Sequence, residues 1–193
     1  QEVSCYHYPT RTLIVTDAII GINSKPPEIF DFDPTPLLFH SRERGDEPLV
    51  DSVEKRKKGW ARLVLFSSFL KPGKLKIPPL KQIFKYSFKT DLRNKRSHFG
   101  IYPFIWDEDW ESSLVEIMGE DIPRIQIAPV LKKLIFPRSK EILIGWLEEI
   151  KTLKDIKYLI PAHFSAPIKF KVADSQKLIN EINSEKWNKL PED

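Results

Sequence analysis

Four histidines, His7, His40, His98 and His163, lie far apart in this 193-residue chain, and Cys5 is its only cysteine. A zinc site built on several thiolates is therefore excluded, and so is a disulfide within the chain. Cys5 stands between Val3 and Tyr6 in a β-prone run. It reads as a packed strand residue rather than a nucleophile, and a single thiol suits a reducing compartment. There is no glycine-rich phosphate loop, no Gly-x-Ser-x-Gly elbow and no neighbouring Cys–His pair. His40, Arg42 and Arg44 lie within five positions. Guanidinium groups beside an imidazole suit a phosphate or carboxylate, because Arg holds such anions through paired hydrogen bonds. Salt bridges to Glu43, Asp46 and Glu47 explain the same charges without a ligand. Asp17 ends a β-prone run, and its carboxylate either caps the turn at Ala18 or serves a site. His163, between Pro161 and Pro167, is either a hydrogen-bonded loop residue or a member of that site.

The elements that must position these residues follow from periodicity. Glu2 to Tyr8 and Arg11 to Asp17 are short β-prone runs around Pro9-Thr10, which predicts an antiparallel hairpin. Asn23 to Pro36 is rich in proline and reads as loop, and Leu37 to Arg44 as a short helix ended by Gly45. Asp51-Ser52-Val53-Glu54 resembles a capping box and opens a helix to about Leu70, with Val53, Trp60, Leu63, Val64 and Leu70 on one face. Pro72-Gly73 ends it. A further helix is expected over Trp106 to Met118, a strand over Ile125 to Ala128 and a helix over Ser139 to Lys151. A strand follows over Ile156 to Ile160, and a last helix over Asp174 to Lys186. Trp60, Trp110 and Trp146 fall on apolar faces and read as core. The alternation indicates α/β or layered α+β architecture.

Hydrophobic residues make up 41% and aromatic residues 11% of the chain, enough for a real core. No run of about 18 apolar residues predicts a membrane-spanning helix. The net charge of +4 is unevenly placed. Lys71 to His98 holds nine Lys or Arg (Lys71, Lys74, Lys76, Lys81, Lys85, Lys89, Arg93, Lys95 and Arg96) against one acid, Asp91. Residues 71–104 lack a clean period and read as a basic, irregular insert. Phe84, Tyr86, Phe88 and Phe99 interleave with its lysines. Such a pattern is the footprint of nucleic-acid or anionic-membrane contact and also suits an acidic partner or a mobile solvated loop, but no nucleic-acid motif accompanies it. Residue 1 is Gln and a β-prone run begins at once, so the chain is expected to start inside a domain or after a processed segment. No signal or transit peptide is visible.

Five blocks carry a resemblance: Tyr6 to Asp17, Pro36 to Arg44, Arg56 to Arg62, Ile127 to Leu131 and Ile160 to Ile168. Together they resemble a family of domains of unknown function met mostly in cyanobacteria and chloroplasts. That family is grouped with the metallo-β-lactamase-like (metallo-hydrolase/oxidoreductase) superfamily. The resemblance spans nearly the whole chain and implies an α/β fold, the C-terminal part of an αββα sandwich, as a single partial domain over residues 1–193. It also implies a bacterial cytoplasm or a plastid stroma rather than secretion.

In that superfamily an Asp at the end of one strand bridges two metals, and a His at the end of a later strand binds one of them. Asp17 and His163 resemble these two ligands, which would suit Zn, Fe or Mn. The superfamily's His-x-His-x-Asp-His cluster and a further His have no counterpart here and are expected upstream of residue 1; His7 does not match either. Two ligands fall short of the three that a catalytic zinc requires. The expectation is therefore a non-enzymatic or degenerate protein binding a small molecule or a partner near Asp17, His40 and His163. The alternatives are a metal-dependent hydrolase of an ester, thioester or phosphoester in a longer protein, and an interaction protein docking through the basic insert. A missing sheet half would leave the hairpin with an unpaired edge and favour dimerisation or poor solubility.

Overall fold

The structure, a computed structural model, describes residues 3–69 and 74–184. In chain order its elements are β1 (Ser4–His7), β2 (Thr12–Val15), β3 (Ile19–Ile22), α1 (Ile29–Phe32), α2 (Thr35–Ser41), α3 (Val53–Phe69), β4 (Leu75–Lys76) and α4 (Leu80–Ile83). These are followed by β5 (Ile105–Trp106), β6 (Arg124–Ile127), α5 (Pro129–Leu134), α6 (Lys140–Thr152), β7 (Tyr158–Ile160), β8 (Ile168–Lys169) and α7 (Val172–Asn183). Short 3-10 turns lie between them. The expected ends at Glu2, Leu70, Pro72-Gly73 and Lys186 lie outside the described residues. The chain divides into two compact units, one of residues 1–23 and 117–193 and one of residues 24–116. The protein is mixed α/β, and no helix of the described residues is long and apolar enough to cross a membrane.

In the first unit a four-stranded sheet runs β1-β2-β7-β8. β1 and β2 form the expected hairpin, antiparallel with Tyr6 opposite Leu13. β2 and β7 are parallel, with Ile14 opposite Ile160, and β8 returns antiparallel to β7. Strand alternation sends Leu13, Val15 and Leu159 into the core. There they meet Leu143, Leu147 and Ile150 of α6 and Leu178, Ile179 and Ile182 of α7, at three- and four-residue spacings. Each such burial stabilises by about 1.5–3 kcal/mol. β3 pairs with β6. All four residues of β3 are buried, and a Cβ on Gly21 would sit 2.2 Å from Ile168 Cδ1, so the end of that side chain would have to turn away.

In the second unit α2 packs on α3. The two approach so closely that a Cβ on Gly59 would lie 1.8 Å from the Leu37 carbonyl oxygen. Trp60, Val64 and Leu65 face inward, whereas Val53, expected on the same face, is 64% exposed. The helix is capped one residue later than the motif suggests, by Ser52, whose hydroxyl accepts from the Lys55 amide at 3.2 Å. Residues 74–104 belong to this unit and hold β4, α4 and short 3-10 turns.

Further expectations are corrected, the first being the loop over Asn23 to Pro36, within which Ile29–Phe32 forms α1. The helix over Trp106 to Met118 does not form. Leu75 pairs with Trp106 across β4 and β5, and the Asp107 amide donates to the Lys74 carbonyl at 3.0 Å. Lys74 and Lys76 then hold Asp109 and Asp107. These tertiary bonds leave only a 3-10 turn at Trp110–Leu114. Cys5, expected to be packed, is exposed, because β1 turns that position away from the core.

Candidate functional site

β2 and β7 determine where Asp17 and His163 emerge. Ile14 and Ile160 are register partners on parallel strands, and each candidate lies three residues beyond its partner. Parallel strands deliver equal offsets to the same rim, the edge where α/β proteins commonly place their sites. The pairing continues past the strands, since the Ala162 amide donates to the Thr16 carbonyl at 3.2 Å. A second anchor follows. The Ser165 amide donates to the Gly21 carbonyl at 3.0 Å, and Phe164 holds a left-handed backbone at φ 68°.

The result is a direct contact between His163 Nε2 and Asp17 Oδ1 at 3.0 Å, with side chains 65% and 54% exposed. A neutral imidazole in this pair carries its proton on Nε2, as donor to the carboxylate, and keeps Nδ1 as an acceptor. The rim thus presents a carboxylate and an imidazole together, able to receive a cation or a hydrogen-bonding group. Among the described residues no third His, Cys, Asp or Glu completes a group able to hold a metal ion. The pair would supply at most half of a four-ligand zinc shell, so these residues alone do not fit a catalytic metal.

His40, Arg42 and Arg44 belong to the other unit, and their environments differ. His40 is buried, its ring stacked on Phe104 at 5.3 Å and 24°. Burial first, then the nearby charges of Arg62 and Arg42, lower its pKa to about 4. Arg42 is 1% exposed. It donates to the carbonyls of Gly45, Ser97 and Ile101 at 3.3–3.4 Å, and its guanidinium lies 4.7 Å from the Phe39 ring centre. The Arg42 carbonyl in turn accepts from Tyr102 Oη at 2.5 Å and Arg62 Nη1 at 2.9 Å. Burial pushes the Tyr102 phenol up to about 12. Arg62, 2% exposed, also reaches Glu43 at 2.9 Å, and its guanidinium lies 5.3 and 4.9 Å from the ring centres of Trp106 and Trp110. Arg44 alone of the three is well exposed. It pairs with Asp46 at 3.1 Å and lines a hollow of about 180 Å³ with Gln82, Lys85 and Tyr86.

One feature of the first unit escaped the sequence reading. The sheet face opposite the helices carries a hollow of about 350 Å³ bordered by His7, Thr12, Ile14, Tyr158 and Ile160. His7 Nδ1 meets Thr10 Oγ1 there at 2.7 Å. The signal lay in the alternation of Ile14 against Leu13 and Val15.

No curated protein matches this chain, and no solved structure does. One family does match, the domain of unknown function DUF4336, over residues 1–180, and the chain belongs to that family.

Proposed function

We propose that this protein is a non-enzymatic binding protein whose recognition point is the Asp17–His163 pair, taking a cationic or hydrogen-bonding group of a small molecule or partner. The single observation behind this reading is the 3.0 Å contact at the common rim of two parallel strands. A solvent-facing contact of this kind contributes little to stability, on the order of 1 kcal/mol or less. The pair is therefore poorly explained as a structural device. Helices over one face of a sheet with an open opposite face support the further reading of part of an αββα sandwich.

A second reading, a metal-dependent hydrolase acting in a longer protein, draws on the same pair, since a carboxylate and an imidazole are ligands for Zn, Fe or Mn. Titration of the purified chain with Zn²⁺ separates the two. Half of the roughly 10–16 kcal/mol of a complete structural zinc shell gives a Kd of about 1–200 µM. The proposal expects binding no tighter than that, lost in Asp17→Asn. Stoichiometric metal retained through purification, or binding orders of magnitude tighter, would instead establish the hydrolase-type site.

A further inference from the structure

We propose that residues 77–89 of the second unit form a docking surface for an anionic lipid bilayer. The inference is independent of the Asp17–His163 reading. Its basis is a pair of rows on one stretch of chain. Leu80, Phe84 and Phe88 recur every four residues, and so do Lys81, Lys85 and Lys89. Backbone bonds from Phe84 to Leu80, Ser87 to Phe84 and Lys89 to Tyr86 keep the stretch in helical turns. Ile83 is buried and Tyr86 half-buried, so these two tie it to its unit. The apolar row faces outward: Leu80 is 72%, Phe84 43% and Phe88 76% exposed, and Ile77 beside them 65%.

An ordinary soluble surface scatters such residues singly. Here four lie within twelve positions, set among cations. From Ile77 to Ile105 the chain holds six Lys or Arg and one acid, Asp91. Lys89 lies 3.3 Å from Asp46, whereas among the described residues no carboxylate pairs with Lys81 or Lys85. Lys85 and Lys89 rest 5.3 and 5.0 Å from the Tyr86 ring centre.

Charge complementarity calls for an anionic partner, and the exposed aliphatic groups decide its kind. A nucleic-acid strand stacks its bases on aromatic rings and has no use for Leu80 or Ile77. A bilayer takes aliphatic and aromatic side chains into the acyl boundary, while lysines reach back to the headgroups.

The test is co-sedimentation of the full chain with vesicles of phosphatidylcholine alone or with roughly one-third phosphatidylserine, at about 0.1 M salt. The variants are Lys81→Gln/Lys85→Gln/Lys89→Gln and Leu80→Ser/Phe88→Ser. All five positions are on the surface, and circular dichroism verifies the fold. The proposal expects binding to the phosphatidylserine vesicles only. Affinity falls on the order of 100-fold in the lysine variant and about tenfold or more in the apolar variant. It is overturned if no vesicle sediments the protein. It is equally overturned if the apolar variant binds unchanged while a single-stranded oligonucleotide competes, for the surface would then serve an anionic polymer.

Discussion

At the scale of single residues, two histidines illustrate opposite environments. His163 stands in solvent against a carboxylate, whereas His40 is enclosed by Phe39, Phe66 and Phe104 near two guanidinium groups. The His40 pKa of about 4 lies below the ordinary value of 6.5. Between these values the unfolded chain takes up a proton that the folded protein refuses. The stabilisation is therefore complete above pH 6.5 and is lost as pH falls through that window, by up to about 3 kcal/mol. Denaturant unfolding at several pH values from 7.5 down to 4.5 would show the decline, and His40→Phe should flatten it. A slope unchanged in that variant would mean that His40 is protonated in the folded state. None of this was visible in sequence. His40, Arg42 and Arg44 sit within five positions, yet the end of α2 buries the first two and exposes the third.

At the scale of elements, amphipathic patterns were legible where burial sets them. α6 and α7 place Leu143, Leu147 and Ile150, and Leu178, Ile179 and Ile182, on the faces their spacing indicates. Trp106 to Met118 misled because helical spacing of Trp106, Trp110 and Leu114 competes with a strand pair and two Lys–Asp bridges that come from residues 74–76. Local spacing carries no trace of such distant partners. Gly59 makes a sharper case. Intrinsic preference says that Gly59→Ala should stabilise α3 by about 1 kcal/mol. The 1.8 Å approach of its Cβ to the Leu37 carbonyl says the reverse. We expect a loss of about 1–3 kcal/mol, as for an overpacked core, measured by the denaturant midpoint. A gain would show that the α2–α3 spacing is wider than described.

At the scale of the molecule, the α/β alternation and both strands of the site were legible, because β2 and β7 are short apolar runs that lead towards Asp17 and His163. Their adjacency was not, since 145 residues separate them and only the parallel register of Ile14 and Ile160 brings their ends to one rim. Nor did the sequence separate the unit of residues 24–116 from the rest: a proline-rich stretch begins at Asn23, but it reads as a loop, and no comparable stretch stands at Ile117. The proposed function depends on that shared rim. Its most direct test is the imidazole spectrum of His163 by nuclear magnetic resonance. The account predicts a proton on Nε2 held by the Asp17 carboxylate, cross-relaxation between the ring protons flanking Nε2 and the Asp17 β-protons, and a shift of the ring nitrogens in Asp17→Asn. A His163 ring with no cross-relaxation to Asp17 and no response to that substitution would contradict it.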